Sequence, residues 1–211
     1  MFTFYSLIMQ NKINTIFFDL FGVLLGIDQS VVIQYLSKLT DAPYLDTREI
    51  ALGEPFMRLE RGEVTFTRYV ENIRSAMPNG ARIDADNLRE IWKNSKVGEM
   101  PAVSLLDDLL NNFQIWVISN TTESHIKSLQ SKFTFLSQIN GIITSEKAGA
   151  HKPNAKIFQY ALTGAGTDIS SSIFIDDSLT NKESAENLGI VSHHYTGYDG
   201  LVDFLHKNLE I

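Results

Sequence analysis

Four short polar signals in this 211-residue chain have the makings of a reaction centre. Asp19 closes the apolar run Ile16-Phe17-Phe18. Ser119-Asn120 follows Trp116-Val117-Ile118, and Asp176-Asp177 follows Ile173-Phe174-Ile175. Lys152-Pro153 stands just before a helical pattern that begins near Asn154. Each signal alone has an ordinary explanation. An Asp after a strand often caps a helix or makes a turn. Asn120 and Glu123 have capping-box spacing, Pro suits a helix's first turn, and an Asp pair is commonly a solvated loop. Taken together they place three carboxylates, a hydroxyl, an amide and an ammonium at the ends of apolar runs. Carboxylates that close together raise one another's pKa. A divalent cation removes the conflict, and Mg2+ suits a hard oxygen set that also admits phosphate.

The elements that must position these groups are legible as periodicity. Ile13–Phe18, Gln114–Ile118, Gly141–Thr144, Ser172–Ile175 and Val191–Tyr195 are short apolar runs without clean polar alternation, as expected of strands buried on both faces. Helical spacing marks Leu105–Leu110, Ser124–Lys132, Ala155–Leu162, Asn181–Leu188 and Leu201–Leu209, with Gly164, Gly166 and Gly189 as stop signals. Strands alternating with helices predict an α/β, Rossmann-like three-layer core with a parallel sheet. Ligands bind at the carboxyl edge of such sheets, where all three strand-end signals would lie.

The stretch 27–98 breaks that rhythm. It shows helical periodicity in Val31-Val32-Tyr35-Leu36-Leu39 and Phe66-Tyr69-Val70-Ile73, with turn residues at Pro43, Gly53, Gly62 and Pro78-Asn79-Gly80, and no convincing strand. We expect an inserted all-helical cap over 27–98 and a discontinuous core formed by 13–26 and 99–211. Hinges are expected near Gly26 and Gly98. Residues 1–12 read as an N-terminal arm, in which Met9 is a candidate start.

Composition narrows the partners. Eighteen Lys and Arg against 25 Asp and Glu give a net charge of −7, which disfavours nucleic acid. Cysteine is absent, which excludes disulfides, a thiolate nucleophile and Cys-based zinc sites. The first ten residues lack the basic segment and cleavage site of a signal peptide and are too few to span a bilayer. The expectation is a cytoplasmic, soluble monomer or homodimer acting on a small molecule, with no nucleic-acid or membrane partner. None of His125, His193, His194 and His206 has zinc-ligand spacing, so they read as surface or packing residues.

Asp19-Leu20-Phe21-Gly22-Val23-Leu24, Ser119-Asn120, Lys152-Pro153 and Asp176-Asp177 with Asn181 resemble the four motifs of the haloacid dehalogenase superfamily, in the right order. Gly149-Ala150-His151-Lys152-Pro153 and the run Asp176 to Gly189 are most similar to its phosphatase-type branch with a helical cap, which includes sugar-phosphate phosphatases and the phosphatase domain of soluble epoxide hydrolase. The resemblance implies Asp19 as nucleophile and an aspartyl-phosphate intermediate. It implies Mg2+ held by Asp19, the carbonyl of Phe21 and Asp177, with Asp176 behind or sharing. Ser119, helix-start N–H groups and Asn120 would bind the phosphoryl oxygens, and Lys152 would bridge Asp19 and the phosphoryl group.

One position departs from that pattern. Where most such phosphatases carry a second Asp as general acid and base, this chain has Phe21, which transfers no proton. Proton transfer is typically worth about 10²–10⁴-fold. Three outcomes stay open: an activated or anomeric phosphate substrate, a substitute acid, or weak or absent turnover in a phosphate-binding module. The metal-independent 2-haloacid dehalogenases are a rival branch, because an aromatic residue followed by Gly is common there. The Asp176-Asp177 pair argues against them, since two uncompensated carboxylates would repel a haloacid.

Overall fold

The computed structural model describes residues 12–60, 63–93 and 96–209. The expected arm therefore lies almost wholly outside the described residues, as does Gly62. The strands are β1 (Thr15–Phe18), β2 (Leu25–Ile27), β3 (Val97–Glu99), β4 (Gln114–Ser119), β5 (Gly141–Thr144), β6 (Ser172–Asp176) and β7 (Val191–His194). Five of them form one parallel sheet in the order β5-β4-β1-β6-β7. The chain starts in the centre, steps outward through β4 and β5, and then returns to the other side of β1 for β6 and β7. Its direction reverses around β1, which makes the carboxyl end of β1 the crevice of the sheet.

Helices flank both faces. In chain order the helices of the described residues are α1 (Ser30–Thr40), α2 (Tyr44–Leu52), α3 (Glu54–Glu60), α4 (Phe66–Ala76), α5 (Ala85–Lys93), α6 (Leu106–Leu110), α7 (Glu123–Gln130), α8 (Ser145–Ala148), α9 (Ala155–Ala165), α10 (Leu179–Asn187) and α11 (Tyr198–Asn208), of which those after α5 flank the sheet. Ile16, Phe18, Ile115, Val117, Ile173 and Ile175 pack toward α6, α7 and α11 through Leu106, Ile126, Leu129, Leu201 and Leu205. Their alternates Phe17, Ile118 and Phe174 pack toward α9 and α10 through Ile157, Phe158, Ala161 and Ala185. This double coverage explains why the central strands read as unbroken apolar runs. Each large side chain so buried contributes about 1.5–3 kcal/mol, which fixes the register of the polar residues just beyond.

Helices α1 to α5 gather around an apolar centre of their own, built from Val32, Ile33, Leu36, Tyr69, Val70, Ile73 and Leu88. The Tyr69 hydroxyl donates to the Ala51 carbonyl at 3.0 Å, and Phe56 stacks on Trp92 at 5.1 Å. The expectation of no strand in this region needs correction. The chain enters and leaves the helical insertion through an antiparallel ribbon, β2 against β3, with Gly26 opposite Gly98. Three-residue strands are too short to show alternation, and a glycine at each centre removes the side chain that would mark it. Among the described residues no helix is long and apolar enough to cross a membrane.

Candidate active site

The loop after β1 is held by its own backbone. Asp19 N–H donates to the Ile175 carbonyl at 2.8 Å, Leu25 N–H to the Leu20 carbonyl at 2.8 Å, and Gly22 N–H to the Leu25 carbonyl at 2.8 Å. Gly22 has φ +88°, and a Cβ there would overlap the Asp177 carboxylate. A side chain would be strained in this backbone and would displace Asp177, so Gly22 is required at this point. The same fact places the Phe21–Gly22 turn directly against Asp177.

Three strand ends meet at this crevice. Lys152, almost wholly buried, reaches Asp19 Oδ1 at 2.7 Å and Asp176 Oδ2 at 2.6 Å through Nζ. Asp19 Oδ1 also accepts from Leu20 N–H at 2.7 Å. Asp176 is fully buried and fully bonded: Ser178 N–H and Asn181 Nδ2 donate to Oδ1 at 2.8 and 3.0 Å, and Asn181 reaches Oδ2 at 3.2 Å. Asp177 is more open, and its carbonyl meets His194 Nε2 at 3.0 Å. Carboxylate oxygens of Asp19, Asp176 and Asp177 lie within 4.8 Å of one another.

Charge is unbalanced here. Burial, then Asp176 and Asp177, push the Asp19 carboxyl up to about 8 against the pull of Lys152. Burial and Asp176 also raise Asp177. Burial opposes the Lys152 ammonium, but Asp176 and Asp19 outweigh it and hold Lys152 above its ordinary value. One ammonium for three crowded carboxylates is a donor set that fits one more hard cation such as Mg2+.

Asn120 and the first turn of α7 are both bonded to other parts of the chain. The Asn120 amide, expected to touch substrate, is spent on Lys152: Lys152 N–H donates to Oδ1 at 2.7 Å and Nδ2 donates to the Lys152 carbonyl at 3.0 Å. Nor does Asn120 cap α7. Thr122 does, accepting from His125 N–H at 3.3 Å. Of the helix-start N–H groups expected to meet phosphate, that of Glu123 donates to Glu146 Oε2 at 2.8 Å. The acidic side chain of Glu146 does for this helix end what a phosphate would do. Ser119 sits buried at the end of β4, beside this turn.

Other residues come to the site without a sequence signal. His125, read as surface, stacks on Phe21 with ring centroids 5.5 Å apart and planes 19° apart. Its Nδ1 meets Thr121 Oγ1 at 2.9 Å. Burial and Lys132 hold it below the usual histidine range. His194, read as a strand end, reaches Asp177 because β7 pairs with β6 in the register His194 opposite Asp176.

The family model for haloacid dehalogenase-like hydrolases matches residues 59–194, over half of the chain. The chain belongs to that family. The match starts beyond Asp19, so the standing of Asp19 and Phe21 rests on the geometry above. A crystal structure of the HAD family enzyme BT-2542 from Bacteroides thetaiotaomicron is 26% identical, with TM-score 0.67, over 92% of this chain and 98% of that one. A second form of that enzyme, complexed with magnesium and inorganic phosphate, matches with TM-score 0.64 at 26% identity over 89% of this chain and 96% of that one. A dehalogenase structure shares the fold at 16% identity and TM-score 0.62, over 85% of this chain and 83% of that one. Drimenol cyclase drtB from Aspergillus calidoustus is 28% identical over 81 residues, which are 38% of this chain but only 15% of the cyclase. This HAD-like hydrolase is thus an α/β enzyme whose structural relatives include a magnesium and phosphate complex.

Proposed function

We propose that the protein is a Mg2+-dependent phosphatase acting on a small phosphorylated metabolite through an aspartyl-phosphate on Asp19. The observation that carries this is the crowding of Asp19, Asp176 and Asp177 beside the buried ammonium of Lys152. Such a cluster is costly to bury and makes chemical sense for an anionic, phosphoryl-bearing ligand and its cation. The BT-2542 complex with magnesium and phosphate supports the same reading.

Asp19, the Phe21 carbonyl and Asp177 would hold the cation, with Asp176 behind them on Asn181 and Lys152. Bound there, Mg2+ supplies positive charge beside the phosphoryl oxygens. With Oδ1 of Asp19 fixed by Lys152 and the Leu20 N–H, Oδ2 is the oxygen that attacks phosphorus. The O–P bond to Asp19 forms as the ester P–O bond breaks, and the leaving oxygen keeps the electron pair. Water then attacks the same phosphorus, releases phosphate and returns the carboxylate. Lys152 stabilises the transferring group's charge, and the Ser119 hydroxyl donates to its oxygens. The Asn120 amide fixes the Lys152 backbone and so acts as a positioning residue. The helical insertion closes over the crevice by bending at the Gly26–Gly98 ribbon.

Because Phe21 supplies no proton, the substrate carries a good leaving group. Phosphate release across a panel of activated and alkyl phosphates, with Mg2+ and with EDTA, tests this. Mg2+-dependent release from activated esters is the expected result. Halide release from 2-haloacids in EDTA would establish the dehalogenase chemistry instead. Tight Mg2+ and phosphate binding without turnover would leave only a binding module.

A further inference from the structure

Phe21 and His125 make a second feature of the crevice rim, beside the carboxylates and built from different elements. Phe21 lies on the β1 loop, half-buried, its backbone bridged to Leu25. Its turn abuts Asp177, since a Cβ on Gly22 would enter that carboxylate. His125 projects from the first turn of α7, is exposed, and is tethered by Thr121 Oγ1 at 2.9 Å. The rings stack at 5.5 Å and 19°. Phe21 also packs against the core, and the stack leaves a partly open aromatic surface at the position where the phosphatases this chain resembles carry their proton donor.

We propose that the Phe21–His125 stack is the leaving-group subsite and selects monophosphate esters of flat aromatic alcohols. The proposal rests on the phosphatase reading above. Aromatic rings offer an offset face to another ring, and such a contact adds to simple burial. Chemistry selects the same class. A phenol ionises near pH 10, as the tyrosine side chain does, whereas a hydroxyl without a ring, as in water, holds its proton far more tightly. When Asp19 Oδ2 bonds to phosphorus, the phenolic P–O bond breaks and the phenoxide departs with the electron pair. It takes its proton from solvent, so no acid at position 21 is needed. The stack replaces proton donation by recognition of a group that leaves without it.

The test uses the full chain with Mg2+ and two substrates of good leaving ability, phenyl phosphate and acetyl phosphate, of which only the first carries a ring. His125→Ala should lower the ratio of kcat/KM for phenyl over acetyl phosphate about tenfold, through KM for phenyl phosphate. His125→Phe, which stacks but holds no proton, should restore the ratio to within about twofold. An unchanged ratio in His125→Ala overturns the proposal. So does failure of His125→Phe to restore it, because the imidazole would then act by hydrogen bonding or proton transfer. If the unaltered protein turns over neither substrate with Mg2+, the phosphatase reading falls and this proposal with it. If it turns over acetyl phosphate while the phenyl ratio ignores residue 125, the subsite alone falls.

Discussion

Lys152 meets Asp19 at 2.7 Å and Asp176 at 2.6 Å with its side chain only 1% exposed. In the helical insertion, Arg82 meets Asp41 and Arg68 meets Glu71, both at 2.8 Å, with side chains 49–65% exposed. The contacts are nearly equal in length and opposite in meaning. An exposed pair exchanges water for a partner at little gain, commonly 0–1 kcal/mol. A buried cluster has lost its water outright, and its attraction seldom repays that loss. The insertion therefore draws its stability from apolar packing around Tyr69, Val70 and Ile73. The sheet edge draws stability from the strands beneath it and spends part of that on holding reactive groups together.

The first way to break this contrast is Asp19→Asn. The change is nearly isosteric and removes only the charge and the nucleophilic oxygen. Mg2+-dependent phosphate release should fall about 10⁴–10⁶-fold, as for loss of other enzymic nucleophiles. Thermal unfolding in EDTA below pH 8 should show no loss of stability, because the buried carboxyl it replaces is uncharged there as well. Activity within tenfold of the starting protein would remove Asp19 from its role.

Lys152→Met is the complementary change. It keeps the aliphatic stem and deletes the one ammonium shared by Asp19 and Asp176. Breaking a buried pair typically costs about 3–5 kcal/mol. Urea unfolding in EDTA should show that loss, whereas Arg82→Met should cost less than about 1 kcal/mol. Equal losses at the two positions would mean that burial does not separate the regions as argued.

The pH dependence sharpens the same point. In the metal-free fold Asp19 keeps its proton up to about 8, whereas the unfolded chain releases it near the ordinary value of 3.8. Between those values the folded state binds more protons. Its contribution to stability is complete below 3.8 and is lost as pH rises through 8. The unfolding temperature in EDTA should therefore decline from pH 5 to pH 8. Asp19→Asn should decline less, and saturating Mg2+ should flatten the slope by binding the ionised form. Identical slopes in all three would remove Asp19 as the source.

What was legible in the sequence follows the same division. Ile16 to Phe18, Trp116 to Ile118 and Ile173 to Ile175 announce buried strands because both faces are covered, and the next residue of each is then forced to the sheet edge. Asp19, Ser119, Asp176 and Asp177 could be named for that reason. The ribbon around Gly26 and Gly98 could not, since three residues carry no period and glycine carries no side chain. Asn120 was identified as a site residue, but its bond to Lys152 was not legible because it spans 32 positions. The Phe21–His125 stack joins the β1 loop to the first turn of α7, far apart in the chain, and neither residue's neighbours foretell it.

The smallest effect is expected at Arg82. It donates to Asp41 Oδ2 at 2.8 Å and to the Leu39 carbonyl at 3.2 Å, where α1 ends with Asp41 at φ 59°. Asn79 reaches the same Asp41 oxygen at 3.2 Å and the Thr40 carbonyl at 3.3 Å, so the helix end keeps a donor when Arg82 is removed. Arg82→Ala should cost about 0.5 kcal/mol in urea unfolding, and less at 1 M salt, where screening shortens to about 3 Å. Adding Asn79→Ala should raise the cost beyond the sum of the two single changes, because each backs up the other. A loss above about 2 kcal/mol from Arg82→Ala alone would show that this exposed pair organises the insertion, and that its charges, like those at the sheet edge, are held in place for a purpose.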